Sequence, residues 1–340
     1  MISVKRNGQI EGLRGITILV IVFFHLIYRF NELYVGEVYK YKFMKYWGEI
    51  GVSIFLIISA YFLYDNSKES FNLITFYKKK FLRLWPTYFI AITAIFALTQ
   101  VIELPGRTYT LVDYLQNIFF INGFIGIPYI DGSHWYLTIL ISLIFVYGLI
   151  SKFKLQNYIW TYFCWLFLSL FLKVIRKIVP LWIFDVLIKL IGGEFIGIAV
   201  MGIVLHMFCV NREDIKKQKI NTILIIIFSI IYSIIFLTPM RVFGAIIGII
   251  LVFLCNYNYL NILYSKVLIY VGSISYPIYL IHQNISYIIE NILLDFFGKY
   301  NLFFPVIAFL GIFLLAVLLS IFERKISRYI VASGFKISKK

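Results

Sequence analysis

The chain has 340 residues, 61% hydrophobic and only 14% charged, with a mean hydropathy of +0.90 and a formal net charge of +16. Soluble domains carry roughly 25% charged residues, so this composition excludes a soluble globular protein and predicts a polytopic membrane protein. The surplus Lys and Arg collect in short segments beside apolar runs, which points away from nucleic acid and toward membrane orientation.

Apolar runs of about 15 to 25 residues, the length needed to cross hydrocarbon, predict ten helical spans near 10–28, 48–64, 84–103, 135–151, 158–173, 191–210, 220–238, 242–257, 270–294 and 302–323. The fold class expected is therefore all-α, a transmembrane helical bundle read as a single membrane domain over 1–340 with no appended soluble domain. The stretch Leu111 to Phe124 is too short and too broken by Asn117, Asn122 and Gly123 to span, and reads as interfacial or re-entrant. With the N-terminus inside, the cytoplasmic segments collect 20 Lys and Arg and the opposite side 11, so both termini are expected in the cytoplasm.

The first span carries Glu11, Arg14 and His25. Ionisable groups in hydrocarbon are costly and mark functional sites by default. Arg14 and His25 are eleven residues apart, roughly 20° past three full turns, so an α-helix presents both on one face about 16 Å apart in depth. Glu11 lies one turn from Arg14, close enough to pair with it. His25 has the chemistry of a general base near neutral pH, and Arg14 offers a fixed fork for phosphate or carboxylate.

Lys78, Lys79, Lys80 and Arg83 precede the third span, which opens at Trp85 and Pro86, a placement that tolerates proline because no N–H is needed in a first turn. Four cations there can hold an anionic cofactor, although basic loops are also ordinary topology signals. The segment Asp131 to Leu137, DGSHWYL, places His134, Trp135 and Tyr136 at the outer mouth of the fourth span, open to an acceptor from outside, with two rings for a sugar to stack on. Residues 272–287 carry Tyr276, Tyr279, His282 and Gln283 in a span kinked by Pro277. Cys164, Cys209 and Cys255 are too widely spaced for a metal cluster, and no nucleophile elbow, phosphate loop or metalloprotease motif occurs, so no metal is expected.

Five of these elements occur in an order that resembles the acyltransferase-3 family of integral membrane acyltransferases. They are the Arg14 to His25 spacing after E-G-L, the block at 51–63, K-K-K-F-L-R-L-W-P-T-Y at 78–88, H-W-Y-L at 134–137 and I-S-Y-P-I-Y-L-I-H at 274–282. The resemblance implies an O-acyltransferase, moving acetyl from cytoplasmic acyl-CoA to a hydroxyl of a surface or lipid-linked glycan. It implies His25 as the catalytic histidine, Arg14 as the donor-side arginine, and Lys78, Lys79, Lys80 and Arg83 as candidates for the CoA phosphates. On this reading His134, Trp135, Tyr136, Tyr279 and His282 contact the acceptor, and the protein is a multi-pass protein of the bacterial inner (plasma) membrane surrounded by lipid.

The chain also departs from the family pattern. Many members have an acidic residue shortly after the fourth-span Trp, where Leu140 and Ile141 stand here; Ala60 and Tyr61 replace Gly and Phe, and Glu11 replaces Asp. The alternative function from the residues alone is a transporter or flippase for a glycan or lipid intermediate, because buried Arg and His with broken helices also line translocation paths.

Overall fold

The computed structural model describes residues 7–64, 71–210 and 219–332. Within them the chain forms fifteen α-helices joined by short 3-10 and π turns, and no strand. Eight helices are long and apolar enough to cross a membrane: Gly8–Val35, Val38–Tyr61, Leu73–Val101, Gly132–Lys152, Ile159–Ile178, Lys219–Phe236, Pro239–Asn256 and Phe303–Ile326. A ninth exists if Trp182–Leu190 and Gly193–Cys209, bent by 46°, are one span. The N-terminal tail and parts of the loops and C-terminal tail counted for orientation lie outside the described residues.

Three expectations need correction. The run at 270–294 is not one helix but three, Lys266–Ser273, Ser275–Ile281 and Asn284–Phe297. Pro277 cannot donate to the carbonyl four residues back and its ring clashes with it, so the helix breaks at Ile274 and restarts with Pro277 in its first turn, where no donor is missed. Such irregular backbone at membrane depth persists only where protein buries it, and residues 277–288 are buried throughout. The third span begins at Leu73 rather than near 84. Lys78, Lys79, Lys80 and Arg83 therefore ride on the helix itself, and Pro86 lies inside it, where the Tyr276 hydroxyl donates to the nearby Leu84 carbonyl at 2.7 Å. Finally, the first helix is α-helical only to Phe23 and continues as π turns over Phe24–Arg29 and Asn31–Val35. The Asn31 side chain donates to the Ile27 carbonyl at 2.7 Å, the acceptor that an α-turn assigns to its own N–H. The 111–124 stretch forms two short helices, Leu111–Ile118 and Ile121–Ile125, too short to cross.

The chain folds as two compact units. The first draws on residues 1–48, 81–135 and 262–340. Its frame is the helix Gly8–Phe23 lying against Lys266–Ser273, with Gly12 facing the Leu263 carbonyl, Gly15 the Leu268 carbonyl and Gly272 the Glu11 carbonyl, each too close to admit a Cβ. Small residues permit this backbone approach, the usual device between helices in lipid. Beside that pair, Phe30, Leu104, Tyr287, Ile288, Tyr300 and Phe304 close an aromatic core.

Glu290 of Asn284–Phe297 is fully buried, and neither carboxylate oxygen has a hydrogen-bond partner among the described residues. An unpaired buried polar group costs about 1–3 kcal/mol. Glu290→Leu is accordingly expected to raise Tm by roughly 2–4 °C in a detergent thermal-shift assay.

The second unit comprises 49–80 and 136–261. At its centre runs Ile196–Val210, apolar on all sides and buried from Ile196 to Met207, the pattern of a core helix. Gly202 abuts the Ile57 carbonyl and Gly244 the Ile50 backbone. His206 stacks on Tyr61 at 4.3 Å and bonds the Tyr61 carbonyl through Nδ1 at 2.6 Å.

Candidate functional site

The first unit brings together His25, Arg107, Asp131, His134, Tyr279, His282, Gln283, Asn284 and Tyr287. The broken segment Ser275 to Tyr287 is the common wall. Arg14 meets its start, donating from Nη2 to Ser275 Oγ at 2.9 Å while Nη1 pairs with Glu11 at 3.4 Å. His25 meets its far end. Its Nδ1 shares a 3.1 Å hydrogen bond with the Tyr287 hydroxyl, and its ring lies edge-on to His282 with centroids 4.9 Å apart. The intervening helix Ser275–Ile281 is about 10 Å long. Arg14 and His25 thus each contact the same neighbouring segment, one at Ser275 and the other at Tyr287.

Two buried histidines flank this point with their tautomers fixed. A carbonyl only accepts, so the nitrogen beside it must carry the proton. His282 Nδ1–H donates to the Tyr279 carbonyl at 2.8 Å, and His134 Nε2–H to the Leu280 carbonyl at 2.9 Å. His282 Nε2 and His134 Nδ1 are left as buried nitrogens without a partner among the described residues. His25 differs from both, being half-buried, with no described residue bonded to its Nε2.

The carboxylate of this cluster is Asp131, fully buried. One oxygen accepts from the Ser133 N–H at 2.9 Å and the Ser133 hydroxyl at 2.6 Å, the other from the Asn284 N–H at 2.9 Å. Burial alone raises a carboxyl, but the His134 and His282 rings, the Ser133 hydrogen bond and the Arg107 guanidinium outweigh it and hold Asp131 below its ordinary value. Asn284 ties the loop down further, donating from Nδ2 to the Ile130 carbonyl at 2.6 Å and accepting from Arg107 Nη1 at 2.8 Å.

The sequence profile of the family described as an acyltransferase domain matches residues 7–322. The chain belongs to the acyltransferase-3 family. Comparison with curated proteins and with solved structures returns no match. It is thus a multi-pass membrane acyltransferase, and the residues around His25 are read in that light.

In this acyltransferase the structure places the residues singled out by sequence in different settings. His25, His134, Tyr279 and His282 converge. His134 is only 2% exposed, however, and the Tyr279 hydroxyl donates to the Ser133 carbonyl at 3.0 Å, so both rings pack the site rather than lie open to an acceptor as expected. Trp135 is half-buried, while Tyr136 belongs to the second unit, where its hydroxyl donates to Ser59 at 2.8 Å and its ring packs on Phe55. Lys79, Lys80 and Arg83 share one side of Leu73–Val101 by three- and four-residue spacing, with Lys78 turned away.

Sequence reasoning missed Asp131, Arg107 and Tyr287. Asp131 was legible as the acidic residue that opens the DGSHWYL motif. Arg107 was legible as the only Lys or Arg between 104 and 134.

Asp131→Ala is expected to destabilise the enzyme, because three buried donors are left unpaired at about 1–3 kcal/mol each. The pH sign follows from the depressed carboxyl. Its stabilisation is fully present above the unfolded value of about 4 and is lost as pH falls through the folded value. Tm measured from pH 7 down to pH 3 is expected to fall steeply at the acid end for the wild type and less for Asp131→Asn.

Proposed function

We propose that this protein transfers an acyl group, acetyl in the simplest case, from cytoplasmic acyl-CoA to a hydroxyl of a surface or lipid-linked glycan, with His25 as general base. The observation that supports this reading is the state of His25, whose Nδ1 is engaged by Tyr287 while no described residue bonds its Nε2. With Nδ1–H donating to the Tyr287 oxygen, Nε2 is the bare lone pair. Nε2 takes the hydroxyl proton as the acceptor oxygen bonds the thioester carbonyl carbon. The tetrahedral intermediate then collapses with cleavage of the C–S bond, and the departing CoA thiolate takes the proton from His25.

Arg14, its side chain 17% exposed, is the donor-side cation in this unit, and the Lys79, Lys80 and Arg83 side of Leu73–Val101 is a second candidate for CoA phosphates. Trp135, half-buried at the start of Trp135–Lys152, is the aromatic candidate for contact with an acceptor sugar, with His134, Tyr279 and His282 shaping the site behind it. The membrane is that of a bacterial cell envelope. The test uses purified protein in lipid nanodiscs with radiolabelled acetyl-CoA and a panel of polysaccharide and lipid-linked acceptors. Release of CoA thiol together with alkali-labile label on the acceptor supports the reading. Movement of a lipid-linked sugar across proteoliposomes without thioester consumption replaces it with the transporter alternative.

A further inference from the structure

We propose that Arg107 docks an anionic group, carboxylate or phosphate, that the acceptor carries close to the hydroxyl it presents to His25. The proposal rests on the acyl-transfer reading and adds a substrate class to it: an acidic sugar or phosphate-bearing polyol rather than a neutral glycan.

Arg107 is held by the fold rather than trailing in solvent. Leu104, 1% exposed, plugs the aromatic core beside Phe30 and Tyr287, and the Arg107 N–H closes a turn onto the Leu104 carbonyl at 2.9 Å. The guanidinium then reaches inward. Nη1 donates to Asn284 Oδ1 at 2.8 Å, and the guanidinium carbon lies 5.6 Å from the centre of the Tyr287 ring, the residue whose hydroxyl engages His25. The cation is therefore about one aromatic ring away from the proposed base.

Its charge is not consumed locally. Among the described residues no carboxylate lies within ion-pair distance of Arg107. Asp131, the nearest acidic group acting on it, is already engaged by Ser133 and Asn284. The Tyr34 and Tyr109 hydroxyls hydrogen-bond the guanidinium alongside Asn284, but all three partners are neutral, so the half-buried charge has no counter-anion among its direct contacts. A bound carboxylate or phosphate supplies one.

A second observation comes from Gln283, 4% exposed, whose Oε1 has no hydrogen-bond partner among the described residues. Gln283 and Arg107 meet at Gly132, where a Cβ would stand 3.1 Å from Gln283 Oε1 and 3.2 Å from Arg107 Nη1. An acceptor without a donor beside a cation without a counter-anion among the described residues matches a ligand with a hydroxyl next to an anion. Arg14 does not compete for this anion. It holds the segment at Ser275, whereas Arg107 holds it nine positions later at Asn284, with His25 against His282 and Tyr287 between and beyond. One arginine serves each flank of the base.

The test is binding to the full-length protein in nanodiscs, with glucuronate, inorganic phosphate, glucose and desulfo-CoA as probes. The wild type is expected to bind glucuronate or phosphate and to ignore glucose; the stronger of the two identifies the anion. Arg107→Gln is expected to weaken that anion at least tenfold while desulfo-CoA affinity changes less than threefold, and Arg107→Lys is expected to fall between. Gly132→Ala, which crowds Gln283 and Arg107 without removing charge, is expected to weaken the anion similarly. The proposal is overturned if Arg107→Gln and Gly132→Ala bind the anion as the wild type does. It is overturned equally if Arg107→Gln loses desulfo-CoA in parallel, which makes the anion the donor's or the residue a structural brace. None of these measurements needs turnover, so a failed acyl-transfer assay refutes the function reading separately.

Discussion

His25→Ala is expected to lower kcat for acyl transfer by about 10²–10⁴-fold, the range for loss of a positioned general base, with KM for acetyl-CoA changed far less. The reason is geometric. As the proposed base, the imidazole takes the proton only as the acceptor oxygen attacks, so its removal is expected to be felt in the transition state and not in donor binding. Arg14→Gln is expected to show the opposite split, raising KM for the donor more than it lowers kcat, because Arg14 lies at the other end of Ser275–Ile281. Initial rates of thiol release at varied acetyl-CoA separate the two. Unchanged kcat in His25→Ala would remove His25 from the chemistry and leave the family assignment standing without its base.

The largest effect on folding is expected from the glycines between Gly8–Phe23 and Lys266–Ser273. Gly12→Leu and Gly272→Leu each drive a side chain into backbone, the Leu263 carbonyl in one case and the Glu11 carbonyl in the other. A flexible side chain can rotate away from an added methyl, but a helix carbonyl cannot move unless the helices part. Overpacking of a yielding core costs about 1–3 kcal/mol; here the contact is unyielding and carries Arg14 onto Ser275, so loss of a folded, monodisperse peak on size-exclusion chromatography is expected. Gly311→Ala is the control. Its methyl meets only the tip of Ile289 at 3.0 Å, and a near-wild-type elution profile and Tm are expected. If Gly12→Leu eluted and melted like the control, the close helix crossing would be wrong.

Much of the site was visible in sequence as charge in the wrong solvent. Glu11, Arg14 and His25 announce themselves because hydrocarbon penalises them, and Glu11 and Arg14 do pair. What spacing did not reveal was the π stretch beginning at Phe24, since a π segment this short is not long enough to leave its own apolar period in the sequence. The carboxylate posed the converse problem. The fourth span has Leu140 and Ile141 where many members carry an acid, and the buried carboxylate of the cluster is that of Asp131, in the loop just ahead of that span. No periodicity links residue 131 to residues 282 and 284; only the break in the segment after Pro277 turns the Asn284 N–H toward it.

The sequence by itself determined the class of solvent, the all-helical build and the family, because these follow from composition, local period and residue order. Tertiary structure alone decided which groups surround His25. Tyr287, His282, Asp131 and Arg107 come from three stretches separated by scores of residues, and what joins them is the close crossing at Gly12, Gly15 and Gly272 together with a helix broken where proline forbids a hydrogen bond. Local sequence sets the turns, whereas contacts of that range exist only once backbones have packed.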